Sequence, residues 1–129
     1  FWAGCCGDDE TKRTIGRVWQ EHHYLCDTHT AVAWNVAQQY KAANPAHAPV
    51  VVLSTASPYK FPAAVLGGLG EKAEGDEFAV MEQLERLTGI PAPKNLRGLR
   101  ERPVRHTTVL DRKEMLPFVL KKAQEKKWF

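Results

Sequence analysis

Apolar positions in the first third of the chain recur at helical spacing. From Asp8 the sequence reads DDETKRTIGRVWQEHH, with acids in the first turn and then Ile15, Val18, Trp19 and His22 on one face. This pattern predicts an amphipathic helix, Gly16 notwithstanding. Tyr24 to Thr28 interrupts it, and a second helix is predicted from Thr30 to about Ala43, with Val32, Val36, Ala37 and Tyr40 on its apolar side. Asn44-Pro45 ends that helix, because a residue before proline is pushed out of the helical region. Val50 to Leu53 then runs apolar without alternation, which predicts a strand at about 50–54 buried on both faces, as in a parallel sheet. A third helix follows, with Pro62 near its first turn and Gly67-Gly68 near its end.

Asp76 to Thr88 carries Phe78, Met81, Leu84 and Leu87 on one side and Gly89 just beyond, the pattern of a well-delimited helix. Residues 90–106, rich in Pro, Gly and Arg, read as loop. Asp111 to about Lys127 reads as a last helix, whose regular part starts near Leu116 because of Pro117. The stretch GGLGEK (67–72) has the look of a phosphate loop. It lacks the full Gly-x-x-x-x-Gly-Lys-Ser/Thr frame and follows a helix instead of a strand, so it reads as a helix-ending turn.

The pattern thus gives an α/β chain rich in helix, with four or five helices for one strand. That strand looks central, yet the neighbours a central strand needs are missing from the pattern. Either the fold is strongly helical or the chain is a piece of something larger.

Composition adds only class. With 129 residues, 43% hydrophobic and 26% charged, the chain is the size and kind of one ordinary globular domain. The formal net charge of +3 gathers in RGLRERPVRH (97–106) and KKAQEKK (121–127), but acids interrupt both tracts and no aromatic stacking pattern accompanies them. These features argue against a nucleic-acid partner. No run reaches membrane-spanning length, and Phe1 onward lacks the zones of a signal peptide. Cys5, Cys6 and Cys26 are odd in number and the first two are adjacent, which points to a reducing, cytoplasmic compartment.

Two groups of residues offer chemistry. His22, Cys26 and His29 form His-x-x-x-Cys-x-x-His, ligand types that suit zinc, although the spacing straddles a helix end and matches no closed four-ligand pattern. Ser54 and Thr55 stand at the carboxyl end of the predicted strand, where open α/β sheets place their ligands. The same hydroxyls would equally serve a turn by bonding nearby backbone, and spacing leaves both readings open.

YLCDTHTAVAW (24–34), VVVLSTASPYKFP (50–62), LTGIPAPKNL (87–96) and VRHTTV (104–109) together resemble the C-terminal part of the threonine synthases, in the family's order and across about Phe1 to Val119. The resemblance implies a pyridoxal-phosphate enzyme of the tryptophan-synthase-like fold that converts O-phosphohomoserine and water to threonine and phosphate. It implies that residues 1–129 form a single C-terminal segment of the large cofactor domain. Thr55 matches the hydroxyl that bonds the pyridine nitrogen, and Ser54 is its weaker companion. A hydroxyl can donate to a neutral ring nitrogen, whereas a carboxylate would hold it protonated.

Asp27, His29 and Thr30 match a turn into a helix near the cofactor, with Thr28 in place of the family's proline. Ser57 stands where many relatives carry His, and Lys60 is at most a contact for the substrate phosphate. The family's cofactor lysine and its loop for the cofactor phosphate lie upstream of the matched region, so no catalytic residue is expected in this segment. The isolated chain is then expected to be inactive, to hold no stable covalent cofactor, and to self-associate through a sheet edge exposed at 50–54. The alternatives are a non-catalytic helical binding module descended from such an enzyme and a metal-binding protein using His22, Cys26 and His29.

Overall fold

The computed structural model describes residues 1–46 and 48–125, and within them the chain is helical. Helix α1 (Asp8–His22) begins with Asp8, Asp9 and Glu10 in its first turn, where carboxylates meet the positive end of the helix dipole. It ends at His23, which takes a left-handed conformation (φ 51°) and returns its amide to the Trp19 carbonyl. Helix α2 (Thr28–Ala43) is capped by Asp27 and ends at Asn44. A 3₁₀ turn (Pro58–Lys60) leads into the short α3 (Pro62–Gly68), with proline in its first turn as expected. Helix α4 (Glu77–Thr88) has Asp76 accepting from the Ala79 amide at 2.8 Å and Gly89 in the left-handed region at φ 70°.

Residues 90–106 form the expected loop apart from one helical turn, α5 (Lys94–Arg97). Arg100 folds back on α4, pairing with Asp76 at 3.0 Å and lying over the Phe78 ring, so this part of the basic tract faces carboxylates. A 3₁₀ turn (Arg112–Glu114) precedes α6 (Met115–Gln124). Pro117 is accommodated in the first turn of α6, where its missing N–H would have had no helical partner. The predicted end of this helix near Lys127 lies outside the described residues.

The core lies where α1, α3 and α4 meet, with Ile15, Val65, Leu66 and Leu84 fully buried. Helices α1 and α3 approach through glycine: a Cβ on Gly16 would lie 2.5 Å from the Gly68 carbonyl oxygen, and one on Gly68 would lie 2.8 Å from Ile15 Cβ. The contact between α1 and α2 includes a polar network. Asn35 donates to Glu10 Oε1 (3.1 Å) and to Thr14 (3.2 Å), and it accepts from Gln39 (2.7 Å). The expected apolar side of α2 is only half-buried, and Thr30, Ala31 and Asn35 are its buried residues.

The strand predicted at 50–54 is not formed, and among the described residues there is none, so the α/β expectation is corrected to an all-helical arrangement. Residues 50–53 belong to no regular element, with Val50 and Val52 half-buried and Val51 and Leu53 exposed at 83% and 74%. The physical reason is partnership. A strand needs a neighbour to complete its backbone hydrogen bonds and a layer on each face, and the described residues put a layer on one face only.

Candidate functional site

The break between α1 and α2 brings the candidate groups together. Asp27 is fully buried at the N-cap of α2, and its Oδ1 accepts the His29 amide at 2.8 Å. The same oxygen lies 3.0 Å from His29 Nδ1, and the Thr30 hydroxyl donates to Oδ2. Burial pushes the Asp27 carboxyl up, but the bonds from Thr30 and His29 outweigh it and hold its pKa below the ordinary value. An ionised Asp27 can only accept, so it keeps the His29 proton on Nδ1. Thr28, in place of the family's proline, occupies the first helical position, and the turn into the helix is retained.

Ser54 joins this group across the fold, with its Oγ 3.2 Å from Thr30 Oγ1. Thr55 follows it, exposed. The chain is anchored again just beyond, where the Ser57 hydroxyl accepts the Tyr59 amide at 3.3 Å and buried Tyr59 donates its hydroxyl to the Ile90 carbonyl. Thr55 and Ala56 therefore lie between two fixed points. Of the two readings of the hydroxyls, Ser54 bonds a side chain of another element, and the backbone turn bond belongs to Ser57.

The other candidates stand apart. Thr30 and Ser54 line a cavity of about 280 Å³ with Cys26, Trp34 and Val52. That volume falls just short of the ~300 Å³ at which small-molecule pockets begin. His29 opens onto a different groove beside Lys12 and Thr28. Lys60 is exposed and lines a third cavity, with Phe61, Glu77 and Met81.

The metal reading is corrected. The His22 ring packs edge-on against Trp34 at 5.4 Å, Cys26 is buried, and His29 is held by Asp27. Among the described residues, no three His, Cys, Asp or Glu side chains are gathered to hold a metal ion. The left-handed turn at His23 ends the helix after His22, and Leu25 and Cys26 enter the core beyond it.

All three cysteines are free thiols. Burial, with the neighbouring Asp27 charge adding to it, pushes the Cys26 thiol up to about 11. At pH 8 about one in a thousand Cys26 side chains is then a thiolate. Exposed Cys5 and partly exposed Cys6 are expected to react with a chromogenic disulfide in the folded chain, and Cys26 only on unfolding. Stoichiometric labelling of Cys26 under native conditions, read by peptide mass, would contradict its placement.

Sequence reasoning missed the Thr30–Ser54 link, the Tyr59 anchor and the buried Asn35. The two polar residues of α2 carried no local signal. Tyr59 did, as an aromatic flanked by Pro58 and Lys60 in an otherwise polar turn.

The site is a helix cap joined by a side-chain hydrogen bond to a hydroxyl-bearing loop. The family described as "Threonine synthase, C-terminal" matches residues 30–118, and the chain belongs to that family. The chain is also similar to "Threonine synthase-like 2" of Pongo abelii and of Homo sapiens, each 35% identical over 82 residues that make up 63% of this chain. The matched stretch spans 17% of the length of each of these relatives. All of the Thr30–Ser54–Thr55 segment falls within the family match, whereas Asp27 and His29 precede it.

Proposed function

We propose that this chain supplies one wall of the cofactor site of a pyridoxal-phosphate lyase of the threonine synthase type, which takes O-phosphohomoserine and water to threonine and phosphate. One observation carries the reading: within the family-matched residues, the exposed Thr55 hydroxyl lies between the Ser54–Thr30 link and the Tyr59 anchor. The donor chemistry fits one edge of the cofactor, since a hydroxyl can donate to a neutral pyridine nitrogen without fixing a proton there.

When bound, pyridoxal phosphate supplies the electron sink for bond cleavage next to the amino-acid carbon. The part of this chain is to orient. Thr55 would donate to the ring nitrogen, with Ser54 and Thr30 holding its backbone, whereas Lys60 lines a separate cavity. A cytoplasmic setting belongs to the same proposal, supported by the three free thiols. No helix of the described residues is long and apolar enough to cross a membrane.

A self-sufficient helical binding module would cover residues 50–53 from within. The exposure of Val51 and Leu53 argues instead for a surface completed by further protein, whether the rest of such an enzyme or another copy of the chain. The reading is tested with the chain and pyridoxal phosphate. The expected results are a chemical-shift change at the Thr55 amide during titration, lost in Thr55→Val, and no stoichiometric adduct after borohydride reduction. A stoichiometric reduced adduct at one lysine would refute an orienting role without an anchor, and an unmoved Thr55 amide would remove the ring-nitrogen assignment.

A further inference from the structure

We propose that Thr30 and Ser54 are positioning residues for Thr55, tied through the Thr30 hydroxyl to the buried Asp27 carboxylate. The proposal rests on the cofactor reading above and assigns different work to the two adjacent hydroxyls.

The Thr30 hydroxyl is the hub of this group. Asp27 is fully buried and accepts from Thr30 at Oδ2. The same hydroxyl is the donor of the 3.2 Å contact to Ser54 Oγ, so it is shared between a buried carboxylate and the loop. Ser54 Oγ is thereby turned toward the body of the fold. Among the described residues Thr55 has no such side-chain partner, and its proton is available to a ligand. Two neighbouring hydroxyls that look equivalent in sequence thus become an anchor and a donor.

The link also crosses between elements that the backbone does not join. Residues 50–56 make no ladder with the body, and the Ser54–Thr30 contact is the side-chain tie on the near side of Thr55, with the Tyr59 anchor on the far side. Removing the near tie frees Thr55 to rotate while the far anchor keeps the turn in place.

The test uses the cofactor-free chain, with backbone order parameters and the Thr55 χ1 couplings measured by NMR. The wild-type chain is expected to show an order parameter near about 0.85 at Ser54 and Thr55 and couplings of a single Thr55 rotamer. In Thr30→Val both are expected to be lost, with order parameters below about 0.6 and averaged couplings. Thr30→Ser is expected to restore them. Ser54→Ala removes the same tie from an exposed residue without touching α2, so its loss of Thr55 order cannot come from a damaged helix. Unchanged Thr55 order in Ser54→Ala, or failure of Thr30→Ser to restore it, would overturn the positioning role. Because these quantities are read without cofactor, they stand or fall separately from the titration that tests the cofactor reading.

Discussion

Replacing Gly16 with Ala lowers the stability of the chain, although the same change at an open helical position raises it. Glycine inside a helix costs about 0.8–1 kcal/mol relative to alanine, so propensity alone predicts a gain at Gly16. Packing predicts the reverse. The added Cβ would stand 2.5 Å from the Gly68 carbonyl oxygen, a backbone atom of α3 that cannot rotate aside. The partner residue is equally confined, because a Cβ on Gly68 would meet Ile15 Cβ at 2.8 Å and the Lys12 carbonyl oxygen at 3.0 Å. Separating α1 from α3 to make room opens the core around Ile15 and Leu66, and overpacking of this kind costs about 1–3 kcal/mol. After the propensity gain is subtracted, a net loss of about 1 kcal/mol corresponds to a fall in Tm of about 3–5 °C for a chain of this size. Gly67 is the control. A Cβ there meets only the flexible end of Lys12, at 3.8 Å, so Gly67→Ala is expected to be neutral or slightly stabilising. Thermal unfolding of the two variants side by side decides the matter, and a Gly16→Ala chain as stable as Gly67→Ala would mean that the helices do not approach this closely.

What could be read in the sequence was what is encoded locally. Asp76 with Gly89, Pro62, and Asn44-Pro45 each mark a helix end through the conformation of a single residue or pair, and the helices end there. Asp27 belongs with them, as a cap residue two positions before the amide it accepts. What could not be read was partnership. Val50 to Leu53 has the composition of a central strand, but a strand is a relation between segments, and the described residues supply no second one. Gly16 looked like a weak point of α1 because its reason lies on α3. The inward face of α2 was misplaced because Asn35 is buried by bonds to Glu10 and Thr14 on another helix. The candidate site divides along the same line. Asp27, His29, Thr30, Ser54 and Thr55 were legible through resemblance, and the structure gathers the first four by hydrogen bonds. Lys60, offered only as a contact for the substrate phosphate, opens onto a separate cavity.

Removing the Asp27 carboxylate is expected to have the largest effect at the site itself. Asp27→Ala leaves the His29 amide and the Thr30 hydroxyl without their acceptor in a fully buried position, which costs about 2–4 kcal/mol through the lost charge-assisted bonds and the stranded donors. Asp27→Asn is expected to cost about 1–2 kcal/mol, since the amide oxygen keeps one acceptor but the amide NH₂ must face a donor. The pH dependence separates an electrostatic role from simple packing. The folded-state pKa of Asp27 lies below its ordinary value, so the unfolded chain binds this proton more readily as pH falls. The carboxylate's contribution is therefore fully present above the unfolded value near ~3.9, and it is lost as pH falls from there through the folded pKa. Denaturant unfolding from pH 7 down to about pH 3 is expected to show the wild-type advantage over Asp27→Asn narrowing at the acid end. A constant difference between the two across that range would show that Asp27 acts by shape alone, and its charge would then play no part in holding the Thr30 hydroxyl.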